Sequence, residues 1–368
     1  MNLKNDFNNN RVAKKLSEII KRNAGKQHFT FMDVCGTHTV NIFKFGIRSL
    51  LPPSINLISG PGCPVCVTAQ KDIDYMIEAA KIPNAIVLTF GDMLKVPGSN
   101  SSLEKIRSEK KDIRFIYSPE EILEACKKNP KKPVIFFSVG FETTAPLTAV
   151  ILMKAKKAKI KNLFIYASNK LVPPAMEAIL NLGEIKIDGF VCPGHVSSII
   201  GAKSYEPVVQ KYNIPCVVAG FEPTDIIETV YMLLKQAIGI RKKSQKAKVE
   251  IQYTRCVDYE GNQTAREIMN EVFEPANVLW RGLGKIKKSG LKLNNSYKQF
   301  DILKHFAINI KTPIEKKGCR CAEVLRGAIS PMDCKLFKKV CTPENPYGPC
   351  MVSIEGTCAA YYKYNAKS

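Results

Sequence analysis

Eight short apolar runs punctuate the chain, and most of them stop in a loop that carries glycine and a reactive side chain. They lie at 29–34, 55–58, 84–90, 113–117, 134–139, 163–167, 189–192 and 216–219. Helical spacing fills the intervals. Ile42, Phe43, Ile47 and Leu50 recur three to four residues apart after the first run, and Ile73, Met76, Ile77 and Ala80 do so after the second. Residues 1–28 read as an amphipathic helix with Val12, Leu16, Ile19 and Ile20 on one face. A strand that alternates sides would show every second residue polar. A near-continuous apolar strand followed by a helix instead predicts a parallel sheet covered on both faces.

A weak internal echo sharpens this. The stretch from Ser138 to Pro146, SVGFETTAP, resembles VAGFEPTD from Val218 to Asp225, eighty residues later. LTFGDM, starting at Leu88, loosely resembles FVCPGHVS, starting at Phe190. Two similar α/β units facing each other are expected. Functional loops in such units sit at the C-terminal ends of the strands. The loops carrying Cys35, Cys63, Asp92, Glu142, His195 and Glu222 are therefore expected to line one cleft.

The first loop is Cys35-Gly36-Thr37-His38 and the second runs from Gly60 to Cys66, GPGCPVC. Each falls between a strand end and a helix N-terminus, where orphan N–H groups and the helix dipole favour thiolate over thiol. A thiol beside an imidazole, plus the close pair Cys63 and Cys66, predicts metal and redox chemistry. Glu142 fits either a site role or the cap of a helix N-terminus, and Asp92 and Asp225 fit turns or caps as well. Of the four histidines, His38 and His195 sit in glycine-bearing strand-end loops, whereas His28 and His305 do not.

The net charge of +22 raises nucleic acid, an anionic membrane or an acidic partner. Lysine supplies 44 of the 55 basic residues, scattered through helical stretches. Base reading favours arginine, and single-strand binding interleaves aromatics with basic residues. Neither pattern is present, so no nucleic-acid role is expected. No run of 18 apolar residues predicts a membrane span. The first twenty residues lack a signal-peptide core, which points to the cytoplasm. Thirteen cysteines in a reducing compartment point to metal or catalytic thiols.

Six of them fall between Cys319 and Cys358, namely Cys319, Cys321, Cys334, Cys341, Cys350 and Cys358, among prolines and glycines. Such sequence needs a staple to become ordered. All-thiolate ligation suits a four-iron four-sulfur (4Fe-4S) cluster or a cysteine-only zinc site. The close pairs of a zinc ribbon are absent, which favours the cluster. The stretch 278–288, VLWRGLGKIKK, carries the sole tryptophan and suggests no chemistry. Its two glycines lack the third that a nucleotide loop needs.

CGTH at 35–38, GPGCPVC at 60–66, GFETTAP at 140–146, PGHVSSIIG at 193–201 and GFEP at 220–223 together resemble the HypD family of hydrogenase maturation factors. The C-terminal cysteines agree. Cys319, Cys334, Cys341 and Cys358 leave gaps of fourteen, six and sixteen residues, the family's cluster pattern. The resemblance implies a scaffold that assembles the iron–dicyanide–carbonyl unit of nickel–iron hydrogenases. It implies a HypC-type chaperone as partner and a HypE carrier, with HypF upstream, delivering cyanide as thiocyanate; the hydrogenase large subunit is reached indirectly. By the same implication Cys35 binds iron, with His38 as a nearby ligand or proton donor. Cys63 and Cys66 form a dithiol/disulfide pair, and the four gap-matched cysteines hold a 4Fe-4S cluster. Cys321 and Cys350 resemble a second redox pair beside that cluster. Glu142 and His195 are then candidates for proton delivery or for holding diatomic ligands. A cluster-linked thiol–disulfide oxidoreductase is the alternative.

The expected fold class is α/β: two similar parallel-sheet, Rossmann-like domains facing a cleft, plus a mainly helical and loop-rich iron–sulfur domain. The expected division is an N-terminal segment 1–55, α/β units at 56–135 and 136–228, and a C-terminal iron–sulfur domain at 229–368, packed with the N-terminal segment.

Overall fold

A computed structural model describes residues 10–364. Two parallel sheets and one hairpin carry the chain. The first sheet has the order β2-β1-β7-β8-β9, made of Phe29–Asp33 (β1), Ile55–Ser59 (β2), Gly189–Pro193 (β7), Cys216–Ala219 (β8) and Val249–Ile251 (β9). The second has the order β4-β3-β5-β6, made of Ile86–Thr89 (β3), Asp112–Phe115 (β4), Val134–Gly140 (β5) and Leu163–Asn169 (β6). Every pairing within the two sheets is parallel. All seven residues of β5 are buried, as a strand covered on both faces requires.

The sheets divide the chain differently from the expected units at 56–135 and 136–228. β1 pairs with β7, placing Phe31 opposite Gly189, so the first sheet gathers strands from 29–59 and 189–251. The second sheet, 86–169, is inserted between them. Periodicity marks where a strand lies but not which strand it pairs with, and the division went astray there. The internal echo falls out as two equivalent strand pairs. β3 and β5 are neighbours in one sheet, and β7 and β8 are neighbours in the other.

One apolar cluster joins the units. Phe137 and Val139 of β5 share it with Phe190 and Cys192 of β7 and Val218 of β8. Residues 273–293 form an antiparallel hairpin, Phe273–Trp280 (β10) and Gly284–Leu293 (β11), which sequence periodicity did not reveal. Its Trp280 is 2% exposed, lies over Phe141 and donates from Nε1 to Ser289 Oγ at 2.9 Å. The helix Thr357–Tyr364 packs on the helix Gly36–Lys44. There Phe43 and Tyr361 lie 4.2 Å apart, and Arg48 donates to the Tyr361 hydroxyl. Among the described residues no helix is long and apolar enough to cross a membrane.

Candidate functional site

β1 ends at Asp33, and two residues later Cys35 takes the extended N-cap position of the helix Gly36–Lys44. β2 ends at Ser59 and leads into Cys63, the N-cap of the short helix Pro64–Val67. Because β1 and β2 are adjacent and in register, the two loops meet. Gly36 N–H donates to Gly62 O at 2.8 Å. Cys63 and Cys66 are joined as a disulfide, and the Cys66 N–H donates to Cys63 Sγ at 3.2 Å.

Cys35 is buried, and burial pushes its thiol up to about 12, against the pull of the His38 and Thr37 backbone N–H groups. This reverses the expectation of a thiolate held by the helix N-terminus. Desolvation outweighs the dipole here, which keeps the proton on sulfur in the chain as it stands. Burial also lowers His38, to about 4. The neutral ring donates from Nε2 to Gly220 O at 2.9 Å, which leaves Nδ1 as a buried lone pair with no partner. Asp33, beneath Cys35, is raised by burial to about 6. Its Oδ1 accepts from Thr39 Oγ1 at 2.8 Å and its Oδ2 has no partner.

Phe221, from the loop after β8, stands between the two histidines. Its ring lies 4.9 Å from that of His38 and 4.0 Å from that of His195. His195, just after β7, is thus brought against the same ring; it is exposed, and the desolvation it does undergo lowers it. The C-terminal segment closes the other side. Glu355 accepts from Thr37 Oγ1 at 2.8 Å, and Ser353 Oγ donates to Asp92 at 2.8 Å. Glu355 and Phe221 were not singled out from the sequence. Glu355 lies 320 residues after Cys35 in no motif, and only the fold brings it there.

Glu142 and Glu222 do not join this group. Glu222 caps the helix Pro223–Arg241 in a box with Asp225. Glu142 accepts from Val172 N–H at 2.9 Å, at the start of the helix Val172–Leu182, which is the capping alternative. Its Oε2 is buried without a partner, and burial raises it from 4.5 to about 7. Between those two values the folded chain keeps a proton that the unfolded chain has lost. This carboxyl's contribution to stability is therefore present below about pH 4.5 and falls as pH rises towards 7. The stability of wild type relative to Glu142→Gln is expected to drop by about 3 kcal/mol over that window. Urea unfolding at its two ends measures it, and parallel pH profiles would contradict the assignment.

Six cysteines, Cys319, Cys321, Cys334, Cys341, Cys350 and Cys358, line one cavity with Val324, Leu336, Phe337 and Met351. No carboxylate reaches its wall. Tyr347 N–H donates to Cys341 Sγ at 3.4 Å and Cys358 N–H to Cys350 Sγ at 3.2 Å. A Cβ on Gly348 would lie 2.9 Å from Cys319 Sγ, so this backbone approach leaves room only for the sulfur. Soft donors in a dry wall, with N–H groups aimed at sulfur, fit a thiophilic group and not a hydrated ion. Among the described residues no three His, Cys, Asp or Glu side chains form a ready ligand set for a single metal ion. Cys321 and Cys350 are hydrogen-bonded to each other. Cys66 Sγ lies 3.9 Å from the carbonyl of Pro349, which adjoins Cys350. The disulfide thus sits between the Cys35 pocket and the cysteine cavity.

The family HypD, described as "Hydrogenase formation hypA family", matches residues 11–365. The chain belongs to the HypD family. It is 46% identical over 361 residues to a putative hydrogenase expression/formation protein of Methanocaldococcus jannaschii, covering 98% of this chain and 99% of that one. It is 43% identical over 367 residues to the hydrogenase expression/formation protein HupD of Azotobacter chroococcum, covering 98% and 96%. It is 41% identical over 334 residues to the hydrogenase maturation factor HypD of Escherichia coli, covering 90% and 88%. Family membership carries a role in hydrogenase maturation, and Cys35, His38, Cys63, Cys66, His195 and Phe221 lie in the motifs that gave the initial resemblance, whereas Asp33, Asp92 and Glu355 do not.

Proposed function

We propose that this protein is the scaffold on which the iron–dicyanide–carbonyl unit of a nickel–iron hydrogenase is built. The unit is its cargo. The observation that carries the reading is the convergence of Cys35, His38 and the Cys63–Cys66 disulfide at the ends of two paired strands.

Cys35 is the anchoring sulfur. Its thiol gives up its proton when iron arrives, and soft thiolate suits the low-spin ferrous iron that cyanide and carbonyl bind. His38, neutral and with Nδ1 free, accepts that proton or joins the iron. A HypC-type chaperone supplies further ligands, and a HypE carrier presents cyanide as thiocyanate. Cleaving that S–C bond takes two electrons, which the reduced Cys63/Cys66 pair supplies as it closes to a disulfide. Cys321 and Cys350 form the second thiol pair, which restores the first.

Cys319, Cys334, Cys341 and Cys358 would hold a 4Fe-4S cluster. That all four line one cavity with no carboxylate in its wall supports an all-thiolate group there. When bound there, such a cluster supplies single electrons. His195 has the role of holding ligands on the iron, and its stacking on Phe221, which also meets His38, supports this. Infrared spectroscopy on the anaerobically purified complex tests the scaffold. Iron-bound cyanide and carbonyl bands are expected in wild type and absent in Cys35→Ala.

A further inference from the structure

Arg281 stands at the tip of the β10–β11 hairpin, and its side chain is 5% exposed. Its backbone N–H donates to Val67 O at 2.9 Å, and its Nε donates to Thr68 O at 3.1 Å. Nη2 reaches Gln70 Oε1 at 3.0 Å. One residue therefore grips the stretch that directly follows Cys66. The same hairpin tip presses on the Cys321 arm. Gly282 has φ +79°, and a Cβ there would come within 2.8 Å of Ala322 O. Arg326 Nη1 fastens the contact through Gly282 O at 2.9 Å. Arg281, Cys319, Cys321 and Pro349 line one small cavity.

A buried guanidinium needs an anion to answer it. Among the described residues its carboxylate partner is Glu315 at 3.3 Å, which is 56% exposed and screened by solvent. The cavity is also lined by Lys316, Cys319, Cys321 and Tyr347, so the guanidinium stands against the Cys321 arm. The charge is thus placed beside Cys319 and Cys321, in a hairpin that reading the sequence left without a role.

We propose that Arg281 is a positioning residue for sulfur exchange: it pins the Cys66 loop against the Cys321–Cys350 arm and fixes a positive charge beside the exchanging sulfurs. This rests on the reading of Cys321 and Cys350 as a second thiol pair. In the exchange the Cys350 thiolate attacks Cys66 Sγ. A Cys350–Cys66 bond forms, the Cys63–Cys66 bond breaks, and the electron pair leaves on Cys63, which takes up the proton that Cys350 released. Cys321 then attacks Cys350, closing a Cys321–Cys350 disulfide and releasing Cys66, which takes up the proton of Cys321. Two electrons pass from one pair to the other, with no outside reagent.

Cys321→Ser removes the resolving thiol, so the Cys350–Cys66 disulfide accumulates in the full-length, anaerobically purified chain. Acid quenching, alkylation and mass spectrometry of linked peptides measure it. Adding Arg281→Gln is expected to lower its yield about tenfold, the loss of a charged hydrogen-bonding anchor. Arg281→Lys, which keeps the charge, recovers part of it. Gln70→Ala keeps the guanidinium and removes one anchor; its expected fall is about threefold, and it decides the matter if the Arg281 variants do not fold. An undiminished yield in a folded Arg281→Gln chain, or in Gln70→Ala where that chain does not fold, overturns the role of Arg281. No linked peptide even in Cys321→Ser overturns the exchange itself and the assignment with it.

Discussion

Gly62→Ala is expected to destabilise the protein by about 3 kcal/mol or more and to pull the two reactive loops apart. A Cβ at this position would lie 2.2 Å from Cys35 N and 2.5 Å from Cys35 Cα. Both are backbone atoms, so no side chain can swing away. Relief requires moving the Cys35 loop off the Cys63 loop, which breaks the Gly36 N–H to Gly62 O bond. Urea unfolding gives the loss of stability. The rate at which a thiol reagent reaches Cys35, buried in the wild type, gives the opening. Gly91→Ala is the control. Nothing lies within 4 Å of its Cβ, and a change within about 0.5 kcal/mol is expected. Equal stability and equal Cys35 protection in Gly62→Ala would show that the loops do not depend on this approach.

Cys341→Ala is expected to abolish cluster binding, taking iron and acid-labile sulfide from about four each per chain to near zero. The stretch round the cavity has only a small apolar cluster of its own, with Phe337, Cys341, Met351 and Tyr361 as buried members. Loss of the staple should therefore also loosen the tail, seen as faster proteolysis there. Cys256, exposed and outside the cavity, serves as the contrast: Cys256→Ala should keep its full iron and sulfide. Undiminished iron and sulfide in Cys341→Ala would remove Cys341 from the ligand set.

Local structure was legible in the sequence, and long-range placement was not. Most of the apolar runs that cover strands carry the signature of burial on both faces, with β5 fully buried and β4 partly exposed, so β1 to β8 could be read from residue order. The return of the chain from β7 to β1 could not, since parallel pairing needs partners that no local pattern names. The cysteines of the tail were legible as a group because they crowd into forty residues. Glu355 and Arg281 were not, because each acts across more than two hundred residues, on Thr37 and on Thr68. The protonation of Cys35 was misread for a related reason. A helix N-terminus is visible in sequence, but the depth at which the fold buries it is not, and desolvation decided the balance. Glu142 shows the converse: its capping alternative was stated from sequence, and Val172 turned out to be its partner.

The account turns on Cys35 as the anchor of an iron carrying cyanide and carbonyl. The measurement that reaches it most directly is infrared spectroscopy of the protein purified without oxygen, together with its HypC-type chaperone, from cells making hydrogenase. Metal-bound cyanide and carbonyl stretches are predicted in the wild-type complex and predicted to vanish in Cys35→Ala while the chaperone remains bound. A wild-type complex without those bands, or a Cys35→Ala complex that keeps them, would contradict the assignment of Cys35 and of the scaffold built round it.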